Sequence, residues 1–250
     1  AVAYVPGLCG PFFLDSEPNL ESLKLWLDGD MLWSGVVFGN ESGPLGRPVS
    51  MASFLLNAAI GGHSPFAYKL GNLLIHFVCG GLIVAWLSRL LRRDPVLARA
   101  AGWIALGLAV WWLILPIQVS TVLYSVQRMA QLSALFMLAG LWVYVIARDR
   151  IEAGRASGHW LLWLGSPALT LLAAFSKENG LLLPLLCLAV ELGYYNPRQA
   201  ATAATTRPLG IRAFFVLVIG LPAVIGGAWL LLHPEFVTAG YVNRDFTLWE

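Results

Sequence analysis

Charge is what this chain has least of. Charged residues fill only 12% of its 250 positions, about half the share of a soluble domain. Cysteine is just as scarce. Cys9, Cys79 and Cys187 lie far apart in apolar runs, with no CxxC and no Cys/His ligand spacing. That argues against a thiolate metal site and leaves them as small buried hydrophobes. There is no internal repeat, heptad or low-complexity tract, and Ala200–Thr206 reads only as a small-residue loop. These absences leave little room for a water-facing surface, a metal-stapled scaffold or a solenoid.

What the chain has in abundance is unbroken apolar sequence. Hydrophobic residues make up 58% of it, and the runs are Tyr68–Ser88, Ala100–Leu115, Met129–Ala147, Trp160–Phe175, Leu181–Tyr195 and Ala213–Leu232. A bilayer core takes roughly 20 apolar residues per helix. The shorter runs would be completed by interfacial Trp, His or Arg. Ala1–Leu14 reads as the tail of one more run. The expected fold is all-α: a polytopic helical membrane protein with about seven spans, its domain covering residues 1–250 as a fragment incomplete at both ends.

The net charge of +2 says little, but its distribution is asymmetric. With the spans alternating, loops 89–99, 148–158 and 196–212 share one side and hold 10 of the 16 basic residues, Arg89, Arg92, Arg93 and Arg99 among them. The other side holds 10 of the 14 acids. The positive-inside rule makes the Arg-rich side cytoplasmic. The expected location is a bacterial inner membrane, with loop 15–67 in the periplasm, or in a lumen were the chain eukaryotic. Arginines so close to spans report topology and contact with membrane lipid, and no nucleic-acid partner is expected.

Loop 15–67 has internal order. Pro18 suits an early helical position, and Leu20, Leu23 and Leu27 form one stripe beside Trp26. A surface helix is expected there, ending at Asp28-Gly29-Asp30. A second is expected from near Pro48 to Gly61-Gly62. A structured loop of that length is more than a connector.

Polar residues gather at the same edge. Asp15 and Glu17 leave the first span, where carboxylates serve either as solvated flanks or as a general base. Arg128 opens the fourth span, one turn after Tyr124. Lys177 and Glu178 lie between the fifth and sixth, as a local turn-capping pair or as part of a phosphate site. Charges near a span are placed with a partner or a task. Arg128 as a fork and Lys177 as a point charge suit a phosphate. Asn72 and His76 share a face of the second span, most simply as interhelical glue. Lys69 is expected to snorkel.

Four segments in order then carry a resemblance: "GPFFLDSEPNL", "GRPVSMASFLLNAAIGGHSPFAYKLGNLLIHF", "LPIQVSTVLYSVQRMAQLSALF" and "LLAAFSKENGLLLPLL". Over roughly residues 8–192 the chain resembles the GT-C membrane glycosyltransferases. It is most similar to the transmembrane O-mannosyltransferases with tetratricopeptide repeats and their bacterial relatives. The resemblance implies transfer of a sugar from a polyprenyl-phosphate donor to a protein or glycan acceptor on the outer face. Asp15 falls on the family's acid after the first span, and Asn72 and His76 on its Asn-Leu-Leu-Leu-His segment. Pro116, Tyr124 and Arg128 fall on its Pro…Tyr…Arg stretch, and Ser176, Lys177 and Glu178 on its Ser-Lys-Glu. The chain departs where relatives carry a second Asp (here Ser16), His and Glu after the proline (Gln118, Ser120) and Asp after the arginine (Ala130). Those departures leave few outer-face carboxylates for a metal.

The expected roles are therefore Asp15 as catalytic base, with Glu17, Asn72, His76, Tyr124, Arg128, Lys177 and Glu178 binding substrate. No metal or other cofactor is expected, because cationic side chains can stabilise a phosphate leaving group. Two other classes fit the composition, a transporter and a non-catalytic scaffold. The enzyme reading differs from both in requiring Asp15, Arg128 and Lys177 to converge on one outer-edge cavity.

Overall fold

Proline opens several of the helices and glycine closes others. The computed structural model describes residues 4–13, 15–40, 42–195 and 209–233, and these contain helices and turns with no strand. Contacts divide the chain into two units, Ala1–Cys187 and Leu188–Glu250.

In the first unit, a short α1 (Val5–Leu8) precedes three helices in the 15–67 region: α2 (Ser16–Asp28), α3 (Trp33–Phe38) and α4 (Pro48–Gly61). Gly29 ends α2 in the left-handed region, at φ 87°, where a side chain would be strained. Pro48 opens α4 with its φ already set for a helix. The small α3 has no counterpart in the sequence expectation, because six residues carry too little periodicity to stand out. The stripe on α2 is buried at Leu20 and Leu23. It joins Val36 of α3, Met51, Phe54 and Ala58 of α4, and Tyr68 and Met129 from the longer helices in one core. The 15–67 helices are thus seated on the bundle.

The bundle follows as α5 (Pro65–Leu91), α6 (Ala101–Ile114), α7 (Gln118–Leu123) and α8 (Arg128–Glu152), with a 3₁₀ turn at Ser125–Gln127 leading into α8. Then α9 (Ser157–Trp160) passes through a π turn at Leu161–Gly165 into α10 (Ser166–Ser176). A 3₁₀ turn at Glu178–Leu182 leads to α11 (Leu183–Val190). α5 packs on α6 and α8, and α8 on α10. In the second unit, α12 (Leu209–Phe215) continues through a π turn at Val216–Gly220 into α13 (Leu221–Leu232).

The burial pattern is inverted relative to a soluble bundle. On α5 the buried face carries Tyr68, Lys69, Asn72 and His76, while Phe66, Leu70, Leu74, Phe77 and Val78 are exposed. Hydrocarbon accepts an apolar face and rejects unpaired polar groups, so polar residues turn inward as glue. Four helical stretches among the described residues are long and apolar enough to cross a membrane: Pro65–Leu91, Ser125–Glu152, Ser157–Ser176 and Gly210–Leu232. The all-α polytopic expectation therefore holds, while the count of about seven spans is not established. The 14 residues of α6 reach only about 21 Å, short of a core about 30 Å thick. Pro116 follows closely and cannot continue a helix. Of Ala1–Leu14, only Val5–Leu8 is helical among the described residues.

Lys69 does not snorkel. Its side chain is fully buried, and Nζ donates to the carbonyls of Gly7 at 3.2 Å, Gly10 at 2.8 Å and Pro11 at 3.0 Å. The turn after α1 leaves carbonyls that no helix bond uses, and an ammonium with three protons satisfies all three. Snorkelling was the simpler expectation because a turn 60 residues away is invisible to local patterning.

Candidate active site

Four chain segments meet at a cleft of about 240 Å³ lined by Asp15, Arg47, Tyr124, Lys177, Asn19 and Ser42 among others. Asp15 stands at the N-cap of α2, yet its side chain makes no capping bond to the helix. Its exposed carboxylate therefore stays at the cleft wall. Its backbone N–H donates to the Tyr124 hydroxyl at 3.1 Å, and its carbonyl accepts from Asn19 Nδ2 at 2.8 Å. Burial pushes the Tyr124 phenol above its ordinary pKa. The Asp15 N–H works against that shift and the Asp15 carboxylate adds to it.

Lys177 sits on extended backbone (φ −161°, ψ 145°) that breaks the chain between α10 and the next 3₁₀ turn. Two serines hold this break from behind. Ser50 Oγ donates to the Ser176 carbonyl at 2.9 Å, and Ser133 Oγ to Asn179 Oδ1 at 3.0 Å. Among the described residues the Lys177 ammonium has no hydrogen-bond or ion-pair partner.

Glu178 does not pair with Lys177 as a local turn cap. It binds Arg47, whose Nε and Nη2 reach its two carboxylate oxygens at 3.2 and 3.1 Å. Burial alone would raise the Glu178 pKa. The hydrogen bonds from Arg47 and from its own backbone, with the charges of Arg47 and Lys177, outweigh that and hold it below the ordinary glutamate value. Arg47 is the one non-glycine residue with positive φ (51°) among the described residues. The proline after it disfavours the right-handed helical region. The left-handed conformation, costing roughly 1–2 kcal/mol, is held by the ion pair, by Nη1 donating to Met129 Sδ at 3.3 Å, and by its carbonyl accepting the Met51 N–H at 3.1 Å.

Arg128 is elsewhere. It is buried at the start of α8, with Nε donating to Asn72 Oδ1 at 2.8 Å and Nη2 to Asn57 Oδ1 and the Tyr68 carbonyl, both at 2.6 Å. Its guanidinium carbon lies 4.8 Å from the Phe54 ring centroid and 5.6 Å from that of Tyr68. A Cβ on Gly71 would meet Arg128 Nη2 at 2.5 Å and Asn57 Oδ1 at 2.6 Å, so glycine is what lets the fork cross α5. Arg128 lines a different groove, about 630 Å³, between α4 and α5 and walled by Leu56, Ile60, Leu70 and Leu74. The expected convergence of Arg128 with Lys177 and Asp15 is not what the structure has; Arg47 stands where Arg128 was expected. Sequence places a residue at a depth, whereas the cleft depends on its direction, and a helical side chain leans back toward the preceding turn.

Glu178 meets the cleft only through Arg47, and three other expected residues lie off it. Asn72 is buried and donates through Nδ2 to the carbonyls of Val122 (3.2 Å), Tyr124 (3.3 Å) and Ser125 (3.2 Å), bridging the break between α7 and α8. His76 Nε2 lies 3.0 Å from the Leu113 carbonyl and 3.4 Å from the Tyr4 hydroxyl, at the end of α6. Glu17 faces a second polar cleft with Phe12, Glu21, Lys24 and His63. There burial and Lys24 hold the His63 pKa below its ordinary value, against Glu17 and Asp28. Arg47 was missed, although its signal was present: a charge wedged between Gly46 and Pro48 in an ordered loop. No three His, Cys, Asp or Glu side chains among the described residues are grouped to hold a metal ion.

A continuous route connects these parts. Arg128 holds the Asn72 oxygen, the Asn72 nitrogen holds the Tyr124 carbonyl, and the Tyr124 hydroxyl receives the Asp15 N–H. The buried arginine is thus linked to the cleft through three successive hydrogen bonds.

No family model matches the chain, and no solved structure matches it. Human protein O-mannosyl-transferase TMTC2 is 31% identical over 134 residues, 54% of this chain and 15% of that protein. The chain thus spans a small part of its relative's length. With its apolar helices and inward-facing polar groups, it is an integral all-helical membrane protein distantly related to a protein O-mannosyl-transferase.

Proposed function

We propose that the chain forms the catalytic edge of a membrane glycosyltransferase that moves a sugar from a polyprenyl-phosphate donor to a hydroxyl of a protein or glycan acceptor. The observation that carries this reading is that Asp15, Tyr124, Arg47 and Lys177 share one cleft. In this reading Asp15 takes the proton as the acceptor oxygen attacks the anomeric carbon. The bond from that carbon to the phosphate oxygen breaks, and the polyprenyl phosphate leaves with the electron pair. Lys177 stabilises the leaving phosphate. Arg47 is largely engaged by Glu178 and shapes the same wall. Tyr124 positions Asp15, and Asn72 and Arg128 act through Tyr124. Cationic side chains suffice for an already charged leaving group, so no metal is invoked. The relative's name favours mannose and a protein acceptor. The charge distribution favours a bacterial inner membrane, with the cleft on the periplasmic side.

The test is sugar transfer from synthetic polyprenyl-phosphate mannose to an acceptor peptide by purified protein. Asp15→Asn keeps the size and removes the proton acceptor, so transfer should fall ~10²–10⁴-fold with donor binding kept. Lys177→Ala should weaken binding of a polyprenyl-phosphate analogue. Glu17→Gln should do little to either. No transfer by the unaltered protein, together with unchanged binding in Lys177→Ala, would leave a transporter or scaffold as the better reading, while unchanged transfer in Asp15→Asn would place the base on another residue.

A further inference from the structure

The arginines at the opposite end of α5 divide into two sets. Arg89 and Arg93 both bind Asp149 of α8, and Arg93 Nη1 also reaches Glu152 at 2.9 Å. These ties clamp the ends of α5 and α8. Arg92 and Arg99 take no part. Among the described residues neither guanidinium has a hydrogen-bond or ion-pair partner. Asp94, the acid in the same turn, spends Oδ1 on the N–H groups of Val96 at 2.9 Å and Leu97 at 3.3 Å.

Arg92 and Arg99 instead line one cleft of about 460 Å³ with Val84, Gly102, Trp103 and Leu106. The order of these residues matters. Val84 lies two turns before Arg92 on α5, and Leu106 lies seven residues after Arg99 on α6. The apolar wall therefore runs from the two guanidinium groups toward the middle of the bilayer. Trp103, 77% exposed, stands between, at the depth where tryptophan marks a membrane interface.

We propose that this cleft binds an anionic phospholipid, with Arg92 and Arg99 on the headgroup phosphate and one acyl chain along Val84 and Leu106. Two exposed, unpaired guanidinium groups on one cleft favour an anion between them. The apolar wall joined to them suits a lipid and gives nothing to a free phosphate. A zwitterionic headgroup would bring its own cation against two arginines. Basic pockets between helix ends hold anionic headgroups through this chemistry. The site lies on the Arg-rich side of the bundle, involves none of the sugar-transfer cleft residues, and does not depend on that reading.

The test is native mass spectrometry of the full chain in detergent, titrated with palmitoyl-oleoyl phosphatidylglycerol or with phosphatidylcholine of the same chains. One phosphatidylglycerol should be retained well above phosphatidylcholine. A near-surface arginine contributes about five-fold, so Arg92→Gln with Arg99→Gln should weaken retention roughly thirty-fold. Arg155→Gln, on the same side, should leave it unchanged. Arg99→Gln alone lies in an exposed turn and tests the site even if the double variant folds poorly; it should cost about five-fold. Equal retention of the two lipids, or no loss in Arg99→Gln, overturns the proposal. So does displacement of phosphatidylglycerol by millimolar inorganic phosphate, which would mark a phosphate site with no use for the wall.

Discussion

Arg128 brings five N–H donors into the membrane protein's interior, and the fold meets them with two amide oxygens and two backbone carbonyls. Truncation would orphan those acceptors, at about 1–3 kcal/mol for each one left buried. Arg128→Ala should therefore lower the thermal midpoint in detergent by many degrees, and Gly71→Ala should lower it too by driving a methyl into the fork. Lys177→Ala, with no partner to orphan, should leave the midpoint nearly unchanged. Scanning fluorimetry separates these outcomes. A stable Arg128→Ala protein would return that arginine to consideration as a ligand-binding group. Glu178 makes a second residue-scale case. Its pKa is held below the ordinary glutamate value of about 4.3, so the stability from its pair with Arg47 is whole above that value. It fades as pH falls through the lower folded value. Glu178→Gln should reproduce the acid limb at neutral pH, with faster amide exchange across residues 42–47. Its own midpoint should change less than the wild type's on acidification. Sequence made Asp15, Tyr124 and Lys177 legible as groups at one edge of the bundle, but not the exchange of Arg128 for Arg47, because the azimuth of a side chain is decided by partners on other helices.

Elements here end where lone carbonyls need donors from elsewhere. α6 stops before Pro116, and Leu113, near its end, offers a carbonyl that takes the Tyr4 hydroxyl proton at 2.6 Å with His76 beside it. The turn after α1 gives its carbonyls to Lys69. Lys69→Met keeps most of the apolar stem and removes all three donors. Hydrogen exchange across residues 4–13 should then rise at least ten-fold, with α8 unaffected. Equal protection in both proteins would show that the turn holds itself. The long helices α5 and α8 were readable as apolar runs and the start of α4 as a proline. The π turns at Leu161–Gly165 and Val216–Gly220 were not. A turn widened by an extra residue leaves no mark in composition.

At the scale of the whole molecule, the polar face is inside and the apolar face outside. The sequence carried that as low charge and the structure as burial of Lys69, Asn72, His76 and Arg128. The asymmetry of the loops supports a sidedness that labelling can test. Cys79 and Cys187 are buried and Cys9 is exposed, so Cys9→Ser gives a quiet background. On it, Ser42→Cys should react with an impermeant maleimide added outside, and Ala156→Cys should not. The reverse pattern would turn the protein over and put the cleft in the cytoplasm. The span count was the least legible part. A short helix such as α6, or α11 flanked by irregular turns, reads as an apolar run whether or not it crosses alone.

The acceptors for Arg128 all precede it: Ser53 and Asn57 in α4, Tyr68 and Asn72 in α5. During synthesis the ribosome delivers the acceptors first and their donor 56 residues after the last of them. Until then Asn57 and Asn72 have no guanidinium to face. When α8 arrives, one side chain closes α4 and α5 over a seam that neither could seal earlier, and through Asn72 it draws Tyr124 toward Asp15. Chain order therefore places the donor of this seam after all of its acceptors.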